Sequence, residues 1–129
     1  MAECRLVRGT TGFRGKQGLD YSAGISAETA GASGICMHQL EIPPGGAAIP
    51  HLHEAHETAI LVLEGAAEMR HGDELEQVMR IETGDYVFIP AGVPHQPYNP
   101  FDRAVRAVVA RTDPNEQESV VLLGDANRG

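Results

Sequence analysis

Gly84-Asp85-Tyr86-Val87-Phe88-Ile89-Pro90-Ala91-Gly92-Val93-Pro94-His95-Gln96-Pro97-Tyr98-Asn99 contains, in sixteen residues, the pattern repeated along this chain. A glycine and an acid make a tight turn. Four aromatic and aliphatic residues then suit a strand, and Pro90-Ala91-Gly92 ends it, because proline cannot donate to a ladder and glycine permits the turn. Working upstream, Gln77–Ile81 and Ala66–Arg70 flank His71-Gly72-Asp73-Glu74 and predict a hairpin with a polar turn. Thr58–Glu64 is a strand closed by Gly65. Ile35–Ile42 alternates, with Cys36, His38, Leu40 and Ile42 on one face, and Pro43-Pro44-Gly45-Gly46 stops it. Downstream, Ala104–Arg111 and Ser119–Leu123 are strands separated by the turn Asp113-Pro114-Asn115. No helix of three turns is predicted. The nearest pattern is Asp73–Ile81, whose apolar positions 75, 78, 79 and 81 also fit one or two helical turns. Seven or eight short strands with turns between them predict an all-β sandwich or barrel.

The chain has 129 residues, of which 42% are hydrophobic, as expected of one globular domain. Its longest apolar run, Ala59-Ile60-Leu61-Val62-Leu63, is too short to cross a bilayer, and Met-Ala-Glu-Cys-Arg opens no secretory signal. The expected location is the cytoplasm, with no membrane partner. Cys4 and Cys36 form neither a disulfide framework nor a CxxC metal knot and are read as reduced thiols. Acids outnumber bases 18 to 10, for a net charge of −8, which argues against nucleic acid as a partner. Between Gln17 and Met69 there is no Lys or Arg, yet Asp20, Glu28, Glu41, Glu54, Glu57, Glu64 and Glu68 are present. Such a surface attracts cations and discourages anions. Residues 9–34 are rich in glycine, Leu19 to Ser26 suits a short strand, and 1–34 is expected as an arm packing on the barrel of residues 35–129 or on a second subunit.

Four of the six histidines, His51, His53, His56 and His95, lie near turns. In His51-Leu52-His53 the two imidazoles are at i and i+2, so an extended backbone points both to one side, where they can reach one ion. Glu57 or His56 follows closely enough to complete the shell, and His95 comes from a distant loop. Three or four nitrogen and oxygen donors with open positions suit one divalent transition metal: Fe, Mn, Ni or Zn. The plainer reading makes His51 and His53 solvated turn residues.

The surrounding pattern resembles the cupin family. The first cupin motif, G-x5-H-x-H-x3/4-E-x6-G, is matched by Gly45, His51, His53 and Gly65, and the second, G-x5-P-x-G-x2-H-x3-N, by Gly84, Pro90, Gly92, His95 and Asn99. The resemblance spans Gly45 to Asn99, and the 18 residues between Gly65 and Gly84 are typical of compact bacterial cupins. Gly15-Lys16-Gln17-Gly18-Leu19-Asp20-Tyr21 and Arg111-Thr112-Asp113-Pro114-Asn115 look like a stand-alone bacterial subgroup, often labelled as sugar-phosphate isomerases. The resemblance implies a double-stranded β-helix, or jelly-roll barrel, with His51, His53, Glu57 and His95 as metal ligands. One departure stands out. Counted back from Gly65, the cupin glutamate falls at Thr58; Glu57 is one residue early, and His56 has the parity of Thr58. A one-residue slip turns a side chain to the other face, so Glu57 as ligand, His56 as ligand, and three histidines with water are distinct outcomes. Three neutral imidazoles leave the full dication charge at the metal, whereas a carboxylate removes one unit. Thiol and diketone dioxygenases resemble the first case; oxalate-handling and flavonol-type enzymes resemble the second.

His38 shares a face with Cys36, Leu40 and Ile42. It is either a hydrogen-bonded histidine in an apolar layer or a pocket acid/base, since imidazole titrates near neutrality. Tyr86 and Phe88 share a strand face and are expected in the core or the pocket wall, which makes His38 and Tyr86 the candidate proton handlers. The expected function is that of a metal-dependent enzyme on a small organic substrate, with oxygen-dependent cleavage or oxidation as the dioxygenase-type reaction. A sugar-phosphate isomerase or epimerase is the alternative. It needs phosphate donors, for which Arg70, Arg80, Arg106 and Arg111 remain. A non-catalytic metal-dependent binding module is a third reading. The resemblance, exposed sheet edges and the apolar run Val120–Leu123 also imply a homodimer.

Overall fold

The computed structural model describes residues 3–8, 12–15, 17–115 and 120–123. Eleven strands are found among them. They are β1 (Gly12–Arg14), β2 (Asp20–Ile25), β3 (Cys36–Ile42), β4 (His51–His53), β5 (Thr58–Glu64), β6 (Ala66–His71), β7 (Gln77–Glu82), β8 (Tyr86–Ile89), β9 (His95–Tyr98), β10 (Val105–Arg111) and β11 (Val120–Leu122). A four-residue helix, α1 (Ala27–Ala30), is capped by the Ser26 side chain. No helix among the described residues is long and apolar enough to cross a membrane.

Two antiparallel sheets face each other, in the orders β1-β2-β3-β10-β5-β8 and β11-β4-β9-β6-β7. Strands that follow one another in the chain repeatedly alternate between the sheets, which is how a jelly roll closes around one core. The core holds Leu19, Tyr21, Leu40, Ile42, Val62, Met69, Ile81, Val87, Ile89, Val105 and Val109, all buried. The alternation read in Ile35–Ile42 is realised in β3, whose even-numbered residues from Cys36 to Ile42 are buried and whose odd-numbered ones are exposed. Within the N-terminal segment, β2 lies inside Leu19–Ser26, the stretch whose sequence suits a short strand; it pairs with β3 and places Tyr21 opposite Leu40.

Gly65 joins β5 to β6 at φ +84°, and a Cβ there would stand 2.5 Å from the Ala104 carbonyl oxygen. Only glycine allows both the left-handed backbone and that approach. The turn into β8 uses Gly84 and Asp85, whose carboxylate accepts the Glu82 N–H at 2.7 Å.

The expected hairpin is realised: β7 pairs with β6 from Ala66↔Glu82 to His71↔Gln77, and the alternative helical pattern over Asp73–Ile81 is not adopted. One expectation is corrected. Tyr86 and Phe88 are neither core nor pocket wall; they are 81% and 60% exposed. The register explains why. Thr58 pairs with Ile89 and Ile60 with Val87, and directly opposed residues share a face. Burial of Thr58 therefore carries Val87 and Ile89 inward and turns Tyr86 and Phe88 outward.

Candidate metal centre

His51 and His53 lie two apart on β4, and both are buried. His95 opens β9 directly opposite His51. The loop before it is tied back by the Gly92 N–H, which donates to the His53 carbonyl at 2.8 Å. Ring centroids are 4.2 Å apart for His51–His95, 5.3 Å for His51–His53 and 5.4 Å for His53–His95. One ligating nitrogen from each residue falls within 4.8 Å of the others.

The hydrogen bonds set the tautomers. His51 Nδ1 is 2.7 Å from the Ile49 carbonyl, and His95 Nδ1 is 3.0 Å from the Val93 carbonyl. A carbonyl only accepts, so each Nδ1 carries the proton and each Nε2 presents a lone pair. Both ring nitrogens of His53 are buried with no hydrogen-bond partner. An orphaned buried imidazole is costly unless something ligates it. Burial, reinforced by the Arg111 cation, pushes these groups down: His38 and His51 to about 3, His53 to about 2 and His95 to about 4. All are neutral at pH 7, the form that binds metal. The three histidines thus fit a divalent metal ion.

They line a cavity of about 20 Å³, together with Tyr21, Leu40, Thr58, Ile60, Ile89, Pro97, Val109 and Arg111. That is room for about one water-sized body. No carboxylate is among these residues. Thr58 is 2% exposed, and its hydroxyl has no hydrogen-bond partner. The other sequence candidates lie elsewhere. Glu57 is exposed, with its backbone N–H bound to the Thr112 hydroxyl and its carbonyl to the Thr112 N–H. His56 turns toward Asp113, its Nδ1 3.4 Å from the carboxylate. His38 is buried in β3 and sets its ring edge-on to Tyr21 at 4.9 Å, so Tyr21 stands at the cavity and His38 does not line it. Tyr86 faces outward. Asn99 ties the end of β9 to its neighbours: its amide donates to the Ile42 and Arg103 carbonyls, and its oxygen accepts the Phe101 N–H. Sequence reasoning missed Tyr21; its signal was a place beside Leu19 in a stretch read mainly as arm.

Residues 38–111, more than half of the chain, match the Cupin domain family, and the chain belongs to that family. Germin-like protein 3-1 of Oryza sativa subsp. japonica is 32% identical over 90 residues, which cover 68% of this chain and 40% of that protein. The chain thus spans less than half the length of that relative. The polyketide cyclase RemF from Streptomyces resistomycificus superposes with a TM-score of 0.75 at 26% identity, over 95% of this chain and 86% of that one. A Thermotoga maritima protein described as a predicted oxalate decarboxylase superposes with a TM-score of 0.70 at 20% identity, over 84% of this chain and 98% of that one, a likeness of fold. The expected double-stranded β-helix is the fold of this chain.

Proposed function

We propose that this cupin is a metal-dependent enzyme acting on a small organic molecule, with oxygen-dependent oxidation or cleavage as its reaction. The observation that carries the reading is the convergence of His51, His53 and His95 inside the barrel, with His53 unpartnered and no carboxylate in the cavity wall. Bound there, Fe, Mn, Ni or Zn would supply Lewis acidity, and the first three redox chemistry as well, at open coordination positions. The chain's own part is to hold three neutral imidazoles in place, exclude bulk water, and present Thr58, Tyr21 and Arg111 to whatever enters. Likeness to a polyketide cyclase supports a small organic substrate.

One observation favours the isomerase reading: Arg111 lines the cavity and can hold an anionic substrate. Metal analysis of protein prepared without added metal, followed by turnover of thiols, diketones and sugar phosphates under air and under argon, separates the readings. Oxygen uptake with substrate loss supports oxidation. Conversion under argon supports isomerisation, and binding without conversion a non-catalytic module. Absence of any metal bound by the three histidines overturns the metal centre. The proposal includes a homodimer, for which the outer face of the larger sheet offers exposed Met37, Tyr86 and Phe88.

A further inference from the structure

Besides the histidines, the polar side chains at the cavity are Tyr21, Thr58 and Arg111. Arg111 is 4% exposed and stands directly across the sheet from Thr58. Opposed residues share a face, so the threonine in the cupin glutamate position has a buried guanidinium as its neighbour. Tyr21, 4% exposed, lines the same cavity, and the Arg111 cation acts electrostatically on its hydroxyl. The usual protein carboxylate is missing from the cavity wall, a cation stands beside its place, and the Thr58 hydroxyl there has no partner. A dication held by the three neutral imidazoles would stand next to an arginine and would make the interior positive, although the chain as a whole carries −8. An anion completes that arrangement.

We infer that the cavity recognises a small carboxylate, taken from the substrate into the place of the absent glutamate and held by Arg111, with the Thr58 and Tyr21 hydroxyls beside it. This rests on the metal-centre reading and adds its substrate class. A planar carboxylate matches the guanidinium fork with two parallel bonds. A phosphate offers the same charge and can also meet the guanidinium fork with two bonds, so the test sets the two anions against each other.

The test titrates cobalt(II)-loaded protein with acetate, acetamide and inorganic phosphate, following the visible cobalt spectrum. Acetate should change the spectrum saturably and acetamide should not. Arg111→Met should weaken acetate by roughly 10–100-fold, the range for losing a charged hydrogen-bonding partner, without lowering cobalt content. Thr58→Glu, which returns a carboxylate to the protein, should alter the cobalt spectrum by itself and abolish the acetate response. Equal acetate affinity in Arg111→Met and the parent overturns the inference. So does an absent acetate response in cobalt-loaded parent, an acetamide response equal to that of acetate, or tighter binding of phosphate. If the parent takes up no cobalt, the metal centre itself fails. Calorimetry of acetate with the metal-free protein then decides: heat lost in Arg111→Met supports the arginine as carboxylate receptor, and no heat in the parent overturns it. If circular dichroism shows Arg111→Met unfolded, Arg111→Lys keeps the charge and loses the fork. A several-fold weaker acetate response is then expected, and an unchanged one overturns the inference.

Discussion

At the scale of the residue, the chemistry of the site turns on positions 57 and 58. Glu57 bears the carboxylate but is exposed, while Thr58 faces the cavity and bears only a hydroxyl. Strand parity accounts for this, since neighbours on an extended backbone point to opposite faces. Two predictions separate the readings. His51→Ala and His95→Ala should each lower metal affinity by more than the roughly 10–100-fold that loss of an outer partner costs, and so lower metal content sharply, with the fold retained. Elemental analysis and far-ultraviolet circular dichroism check this, and full occupancy in both variants would refute the site. Glu57→Gln should leave metal content unchanged by the same analysis; a loss like that of His51→Ala would restore Glu57 as a ligand.

At the scale of the element, two short strands do most of the positioning. β4 supplies His51 and His53 at one-residue separation, and β9 brings His95 to the place opposite His51. From sequence alone β4 reads as extended backbone at a turn–strand junction and the start of β9 as loop, because three or four residues containing histidine, glutamine and proline carry little strand propensity of their own. Pairing with neighbours makes them strands, β9 against β6 over Glu68–His71 and β4 against β11. The strands β3, β5 and β8 are legible in the sequence because alternating apolar positions, β-favouring residues or bounding glycines mark them. Gly65 carries the prediction at this scale. Gly65→Ala forces a non-glycine residue to φ +84° and drives a Cβ onto the Ala104 carbonyl. It should destabilise the protein by about 1–3 kcal/mol or more, read as a lower urea midpoint at unchanged slope. A midpoint equal to the parent's would mean that the β5–β6 turn relaxes freely.

At the scale of the whole molecule, burial of neutral histidines makes stability depend on pH. His38, His51, His53 and His95 are held far below the ordinary value of 6.5, between about 2 and about 4. The unfolded chain therefore binds more protons than the folded one whenever the pH lies below about 6.5 and above those values. Metal-free protein should keep its full stability above about pH 6.5 and lose it progressively as the pH falls toward 4. Each of these histidines adds up to about 1.4 kcal/mol per pH unit to the slope. Urea unfolding from pH 8 to pH 4 measures it, and a flat profile would show that these imidazoles protonate within the fold. A second property of the whole is the outer face of the larger sheet, with Tyr86 81% and Phe88 60% exposed. Phe88→Glu should convert the proposed dimer to monomer at micromolar concentration in size exclusion with light scattering, and a parent that is already monomeric would remove that part of the proposal.

The residues alone determined the barrel class, its turns and the three histidines, because glycine, proline and alternating apolar positions act locally on φ, ψ and strand face. They also put Thr58 at the spacing of the cupin glutamate, but left Glu57, His56 and water open as the completion of the shell. Which side each side chain takes was decided only by pairing between distant strands. Val87 and Ile89 rather than Tyr86 and Phe88 turn inward because β5 sets the register of β8. Arg111, one of four arginines with equal standing in the sequence, is buried beside Thr58 because β10 lies between β3 and β5. Hydrogen bonding between strands far apart in the chain sets that register, and local sequence carries no record of the partner.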